Sequence, residues 1–225
     1  MIFSIIVIFI ILALGFLFPE KQIPFVVADK NNRKIGFKSK YRKEYIIIIS
    51  IILILQSGLR HWSVGSDTMN YNYMFETVKE MSWGQIFESF KLYYQLGEGK
   101  DPGYNLFQKI IQLFTNDYQV YLILVAVIFF AAFGSFIYKN SSRISDAMMA
   151  FLIYSVLFYA FFSITGIRQT IATSVALVSF ELIKKRKLVF FLILIFLAST
   201  IHKSVLIFMP FYFAPMIKNV KFFYG

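Results

Sequence analysis

Long apolar blocks, separated by short polar segments, dominate the chain. A transmembrane helix needs about 20 apolar residues, with about 17 as a practical minimum; the first, third and fourth blocks reach that minimum. The pattern predicts an all-α polytopic integral membrane protein, about seven transmembrane helices in a single domain over residues 1–225. The blocks are Ile2–Phe18, Tyr45–Leu59, Tyr118–Tyr138, Ala147–Ile164, Ile167–Ile183, Leu188–Ile201 and Val205–Ile217.

The two ends of this pattern need separate interpretation. The first block has no basic segment before it and no small-residue cleavage site after it, so it is predicted to be a retained span. The last two blocks are short. Residues 188–217 could form a re-entrant hairpin instead of two spans, which is tolerated only where protein or a cavity surrounds the backbone.

The segment between the second and third blocks, residues 60–117, is amphipathic. Its apolar residues recur every three or four positions with charged residues between them, which predicts two helices on or in the membrane interface. A turn sequence, GEGKDPG at Gly97–Gly103, separates them. The apolar faces are Tyr71, Met74, Phe75, Val78 and Met81 in the first helix, and Tyr104, Phe107, Ile110, Ile111 and Phe114 in the second.

The position of the charges predicts the orientation of these spans. The chain carries a formal net charge of +11, and most Lys and Arg residues lie in the loops after the first, third, fifth and seventh blocks. Such loops are normally cytoplasmic, so the N-terminus and residues 60–117 are predicted to be extracytoplasmic. This asymmetry accounts for the charge without a nucleic-acid partner. With no cysteine and two histidines, the composition argues against a thiolate or His-rich metal site.

On this topology, separate chain regions bring polar residues to the same outer face. Each has an ordinary structural explanation: Arg60 as a snorkelling anchor, Asp67 as a helix N-cap, and Asp101 and His202 as turn residues. The alternative is a shared site. Its candidate members are Arg60, Asp67, Tyr71, Asp101, Tyr104, Arg168, Gln169, His202 and Lys203.

Arg168 is the residue for which the ordinary explanation is weakest. In FFSITGIRQTIATSVAL it stands between two apolar helices with almost no loop, and an arginine at that depth needs an anionic partner. Guanidinium groups bind phosphate oxygens, and a carboxylate or imidazole can accept a proton from a hydroxyl. Glycosyl transfer from a lipid diphosphate requires both functions.

The order and spacing of these motifs resemble the EpsG family of Wzy-like exopolysaccharide polymerases. The resemblance extends from about Tyr45 to Pro210. It rests on the joint occurrence of short motifs: Arg60 followed by Val64-Gly65-Ser66-Asp67-Thr68 and Tyr71, then Asp101-Pro-Gly-Tyr104, Arg168-Gln169 and His202-Lys203-Ser204.

The resemblance implies a membrane glycosyltransferase of the bacterial plasma membrane. Such an enzyme joins undecaprenyl-diphosphate-linked oligosaccharide repeats into an exopolysaccharide or capsule at the outer face, without a metal, nucleotide or other cofactor. Carried over to this chain, Arg60 and Arg168 become candidates for binding one lipid diphosphate. Asp67 and Asp101 become candidates for sugar binding or base chemistry, and His202 for acceptor activation. The candidates for further contacts to the diphosphate or the sugar are Gln169, Tyr71, Tyr104 and Lys203. Other exopolysaccharide assembly proteins would be its partners.

Family members usually continue with further spans after the histidine motif, so this chain is expected to be C-terminally truncated or an unusually short member. Two other functions remain open at this stage. A flippase for a polyprenyl-linked glycan would use the same arginines but needs a polar path, whereas interiors such as Val120–Phe136 carry no charge. A non-catalytic membrane partner of a glycan assembly complex would suit the short C-terminus.

Overall fold

The computed structural model describes residues 2–29, 32–65 and 67–216. Ser66 of the Val64–Thr68 motif, Ile217 at the end of the seventh block and the basic residues Lys218 and Lys221 lie outside the described residues. Within those ranges the protein is predominantly helical. The α-helices are α1 Ile2–Leu17, α2 Arg42–Gly58, α3 Thr68–Glu80, α4 Trp83–Lys91, α5 Pro102–Ile111, α6 Tyr118–Asn140, α7 Ile144–Ile153, α8 Ile167–Lys184 and α9 Leu188–Ile201.

Helix α6 is the central element, and its sequence explains both of its ends. The Asp117 carboxylate accepts hydrogen bonds from the backbone N–H groups of Gln119 and Val120, which satisfies two of the free donors at the start of a helix. Lys139 lies in the last turn, where a cation interacts favourably with the negative end of the helix dipole. Among the described residues, α6 is the one helix long and apolar enough to cross a membrane. The seven-span topology therefore stays a prediction.

Small residues allow α2 and α6 to pack closely in antiparallel directions. A side chain at Gly58, near the end of α2, would lie 3.0 Å from the Cα of Ile123 at the start of α6. A side chain at Gly134 would lie 2.8 Å from the Ser50 hydroxyl. Small residues at helix crossings permit this approach and the dispersion contacts that stabilise it.

The fourth apolar block, Ala147–Ile164, changes helical character along its length. After α7 the chain continues in two π-helical segments, Tyr154–Phe158 and Ala160–Thr165, and Gly166 then precedes α8 as its N-cap residue. Side chains from other elements donate to the carbonyls near the end of this block: Ser57 Oγ lies 3.1 Å from the Ser163 oxygen, and Thr170 Oγ1 donates to the Phe162 oxygen. These bonds satisfy carbonyls that a regular helix would pair internally.

Contacts at the ends of the helices show that consecutive long helices run in opposite directions. At one end, the Ser39 N–H donates to the Ser142 carbonyl at 2.9 Å, and the Glu20 carboxylate accepts from the Ile144 N–H at 3.2 Å. The Arg42 guanidinium lies 4.7 Å from the centre of the Tyr138 ring there. The opposite end carries the start of α8 and the end of α9. Asp101, Arg168 and His202, which were predicted to lie on one face, therefore lie together at this end of the helices.

The all-α prediction overlooked one element. Strands β1 Gln22–Asp29 and β2 Asn32–Ser39 form an antiparallel hairpin in the basic segment after α1. The many charged residues favoured interpretation as a loop, although the sequence around Lys34–Lys38 alternates in polarity and the asparagines before it are typical of a turn. The hairpin does not lie at the end that carries the candidate site.

Of the last two blocks, the second differs from the seven-span prediction. Helix α9 is confirmed, but the chain then returns as a 3₁₀ helix, Lys203–Tyr212, instead of an α-helical span from Val205. The Tyr212 ring lies 5.3 Å from the Phe191 ring, centre to centre, so the return segment folds back along α9. His202 therefore stands at the turn between two packed segments.

The two helices predicted between residues 60 and 117 are confirmed as α3 and α5, but α4, which lies between them, was not predicted. Most of the two apolar faces packs on protein, whereas Ile110 and Phe114 are exposed. Tyr71, Phe75 and Tyr104 are buried together with Tyr121 of α6 and Ile171 of α8. The predicted turn between them is confirmed as well, since Gly97 and Gly99 have positive φ angles. This second core places α5 beside the starts of α6 and α8.

Candidate functional site

Asp101 occupies an unusual backbone position at the start of α5. Its φ angle is +51°, in the left-handed region, where aspartate is among the few tolerated non-glycine residues. Pro102 then starts the helix with a pre-set φ. The residue is only 3% exposed. Such conformations cluster at functional sites because surrounding structure must hold them.

The Asp101 carboxylate lies between an arginine and a histidine from two other helices. Its Oδ2 is 2.6 Å from Nη1 of Arg168, on the first turn of α8, and 3.8 Å from Nδ1 of His202, at the end of α9. The carboxylate side chain is 4% exposed and that of Arg168 14%, so the pair is screened weakly by solvent. The predicted need of Arg168 for an anionic partner is met by Asp101.

Two tyrosines support the Arg168 guanidinium. Its central carbon lies 5.4 Å from the ring centre of Tyr71 and 5.9 Å from that of Tyr104, within the range of cation–π attraction. The Tyr121 hydroxyl donates to the Tyr104 hydroxyl at 3.2 Å. Burial raises the pKa of Tyr104 well above its ordinary value, so this phenol remains neutral. The rings limit the directions in which Arg168 can turn.

The backbone at Gly103 sets the distance between α5 and α9. A side-chain carbon at this position would lie 2.8 Å from the backbone carbonyl carbon of Thr200 and would overlap the Thr200 hydroxyl. Only glycine permits this approach. Because Asp101 and His202 lie two residues from these contact points, the glycine helps to bring them together.

Arg60 lies in a different environment from Arg168. Its Nη1 donates to the Ser57 carbonyl at 2.6 Å and its Nη2 to the Ile164 carbonyl at 3.4 Å. Arg60 therefore connects the end of α2 with the π-helical segment Ala160–Thr165. It also borders a pocket of about 410 Å³ with Gln56, Tyr159 and aliphatic side chains. Burial lowers the pKa of Arg60. The structure does not bring it into the Asp101 cluster, so the predicted pairing with Arg168 finds no support in direct geometry.

The remaining predicted residues lie around the cluster at different distances from its centre. Asp67 precedes α3 as its N-cap residue, but its exposed side chain makes no capping hydrogen bond. Gln169 is half-buried beside Arg168 on the first turn of α8. Lys203 is exposed, and its Nζ lies 4.9 Å from the ring centre of Tyr93. Hydrogen bonding to Tyr93 raises the pKa of Lys203.

Sequence reasoning missed Tyr121, Thr200 and Tyr93 as neighbours of the site. A usable signal existed for Tyr121, because Tyr118 and Tyr121 are three residues apart at the start of a helix and therefore share a face. Neither Thr200 nor Tyr93 had such a signal. In the described ranges, no group of three or more histidine, aspartate or glutamate residues could hold a metal ion.

Comparison with known proteins gives one finding beyond this geometry. No curated protein and no solved structure matches the chain. A family model described as the EpsG family matches residues 43–224. The matched region begins at α2 and includes Asp101, Arg168 and His202. Because it covers most of the chain, this protein belongs to the EpsG family.

Proposed function

We propose that this protein is a polysaccharide polymerase of the bacterial plasma membrane. It joins undecaprenyl-diphosphate-linked oligosaccharide repeats into an exopolysaccharide or capsule, with its site on the extracytoplasmic face. The observation that carries the proposal is the buried Asp101 carboxylate between Arg168 and His202 in a chain of the EpsG family. The family supports a role in exopolysaccharide synthesis, and the cluster supplies the chemistry.

Arg168 is the principal candidate for the lipid diphosphate. One of its Nη atoms is engaged by Asp101, and its Nε is buried without a partner among the described residues. Arg168 is also hydrogen-bonded to Tyr71. The N–H donors outside these contacts would bond to phosphate oxygens, and the charge would neutralise the leaving diphosphate. Arg60 is a second candidate, since its Nε is also unpartnered and its pocket has the apolar walls that a prenyl chain requires.

His202 is the candidate base for the acceptor hydroxyl. With Nδ1 directed at Asp101, the other ring nitrogen is free to accept a proton while the carboxylate stabilises the imidazolium that forms. In the reaction, the acceptor oxygen bonds to C1 of the donor sugar as its proton passes to His202. The C1–oxygen bond to the diphosphate breaks, and the diphosphate leaves with the electron pair. The lipid diphosphate activates the sugar, so no metal or nucleotide is needed.

The other residues at this end of the protein have supporting roles in the proposal. In it, Tyr71 and Tyr104 orient Arg168, whereas Gln169 and Lys203 would contact sugar hydroxyls. Asp67, which is exposed, would act on a part of the substrate outside the buried cluster. The expected partners are the lipid-linked oligosaccharide, the bilayer and other exopolysaccharide assembly proteins.

The test is complementation of a host strain that lacks its own copy of this protein. We expect Arg168→Lys and His202→Ala to abolish polymer, because lysine cannot reproduce the guanidinium fork and alanine removes the base. Matched controls are Arg143→Lys and His61→Ala, which change exposed residues outside the cluster. Membrane levels of each variant are measured in parallel.

The outcomes distinguish the possible functions. Single lipid-linked repeats that accumulate on the outer leaflet would support the polymerase, whereas accumulation on the inner leaflet would identify a flippase. Full-length polymer from both cluster variants would refute the proposed site. If the controls fail together with the cluster variants at equal protein levels, the effect does not depend on the cluster.

A further inference from the structure

A second cleft lies beside the candidate site, and of its lining residues Lys203 alone has a role in the reaction described so far. It is formed between a π-helical turn, Leu92–Leu96, which extends α4, and the end of α9. Its volume is about 350 Å³, within the size range of small-ligand sites. The residues that characterise it are Tyr93, Tyr94, Gly97, Phe196, Ser199 and Lys203.

The cleft presents aromatic surfaces in two orientations. The rings of Tyr93 and Tyr94 lie 5.0 Å apart, centre to centre, at an interplanar angle of 86°. The Tyr94 residue is 53% exposed although it is aromatic. Phe196 adds a third exposed ring, from α9. Exposed aromatic side chains at a cleft provide contact area at low entropic cost and commonly mark binding sites.

Polar groups lie next to these rings. The Lys203 ammonium is 4.9 Å from the Tyr93 ring centre and is exposed. The Ser199 hydroxyl donates to the Phe196 carbonyl at 2.7 Å, which leaves its oxygen able to accept. Ammonium, hydroxyl and phenol groups can bond to ring hydroxyls, while the tyrosine faces can contact the apolar C–H face of a sugar. This combination fits a saccharide better than a purely apolar ligand.

The backbone of the π-helical turn presents these tyrosines through irregular geometry. Gly97 ends the turn with a φ angle of +71°, and the Glu98 N–H donates to the Leu92 carbonyl at 3.2 Å. A π-helical turn closed by a left-handed glycine is a common way for a helix to end. Each hydrogen-bonded turn of a π-helix contains one residue more than a turn of an α-helix. Tyr93 and Tyr94 of this turn lie beside the end of α9.

The cleft is connected to the candidate site through the chain itself. Lys203 directly follows His202, and Ser199 lies about one helical turn before it. We propose that this cleft binds the sugar rings of the acceptor saccharide and holds its reactive hydroxyl toward His202. The proposal rests on the polymerase function and adds the acceptor subsite, with Tyr94 as its stacking surface.

Direct binding tests this subsite without requiring turnover. The purified full chain in nanodiscs is titrated with oligosaccharides released by partial hydrolysis of the host's exopolysaccharide, and saturation transfer to sugar protons is followed by NMR. We expect binding by the wild-type protein, about tenfold weaker binding by Tyr94→Ala, and near wild-type binding by Tyr94→Trp, which keeps an aromatic face. The control is Tyr73→Ala, which removes a 72% exposed tyrosine from α3 outside the cleft.

Polymer length in complemented cells provides the second measurement. We expect Tyr94→Ala to make shorter chains, because a weakly held acceptor leaves before each transfer. Unchanged oligosaccharide binding by Tyr94→Ala, equal loss in Tyr73→Ala, or no binding by wild-type protein that makes polymer would each overturn the subsite. If wild-type protein binds the oligosaccharides through Tyr94 but makes no polymer in complemented cells, the polymerase proposal fails while the saccharide site stands.

Discussion

The Asp101 carboxylate and the Arg168 guanidinium form a buried ion pair between residues 67 positions apart in the chain. The pair joins the first residue before α5 to the first turn of α8, and the same oxygen faces His202. One carboxylate oxygen therefore pairs with the group proposed to bind diphosphate and lies 3.8 Å from the buried Nδ1 of the group proposed to accept the proton. This shared contact makes the cluster sensitive to small changes in the position of any of its three helices.

The first expectation concerns the charge of Asp101. Asparagine tolerates the left-handed backbone as well as aspartate does, so Asp101→Asn tests the charge alone. The change leaves the buried Arg168 unpaired, and we expect it to lower the free energy of unfolding by about 3 kcal/mol and to abolish polymer formation. Thermal unfolding in detergent and polymer yield measure the two effects.

A double variant separates stability from function in this pair. Asp101→Asn with Arg168→Met removes both charges, and we expect most of the lost stability to return because no unpaired charge stays buried. Polymer formation should remain absent, since the diphosphate ligand is gone. Recovery of polymer in the double variant would show that Arg168 serves the fold and not the substrate.

The second expectation concerns the close contact between α5 and α9. Gly103→Ala would place a methyl group against the Thr200 backbone, and we expect a loss of about 1–3 kcal/mol through overpacking. The displacement would also separate Asp101 from His202 and reduce polymer yield. Gly84→Ala in α4 is the control, because its nearest neighbour would be the Ser82 hydroxyl at 3.7 Å. Equal behaviour of the two variants would contradict the proposed role of Gly103.

Much of the helical framework could be predicted because long apolar runs have few alternatives to a helix. The grouping of Asp101, Arg168 and His202 at one end also followed from the alternation of basic loops. The charged residues did not indicate that Gln22–Asp29 and Asn32–Ser39 form paired strands. Strand pairing depends on which backbone groups of the two strands meet. The 3₁₀ return after His202 depends on packing against α9, and an apolar composition does not distinguish it from a short α-helix.

Arg60 shows the limit of this reasoning most clearly. In sequence, Arg60 and Arg168 both stand at the boundary of an apolar block, and the short loop around Arg168 was the one feature that distinguished them. Arg60 has different partners because the π-helical segment Ala160–Thr165 presents the Ile164 carbonyl to it. Carbonyls of this segment also lie within hydrogen-bond distance of the hydroxyls of Ser57 and Thr68, which are 106 and 96 positions from their partners in the chain. Contacts of this kind are not encoded in the spacing of any one segment.

The third expectation concerns the two carbonyls bound by Arg60. A lysine ammonium is a compact group that cannot donate to the Ser57 and Ile164 oxygens in the same fork geometry. We expect Arg60→Lys to lower the free energy of unfolding by about 1–2 kcal/mol, because a part-buried carbonyl loses its partner. Thr68→Val is the matched variant, since Thr68 Oγ1 donates to the Val64 oxygen at 2.7 Å, lies 3.3 Å from the Ile164 oxygen and carries no charge. If Arg60 also contacts the lipid diphosphate, Arg60→Lys will make less polymer than Thr68→Val at similar melting temperature. Equal polymer yields from the two variants would assign Arg60 to the fold alone and leave Arg168 as the arginine proposed to bind the substrate.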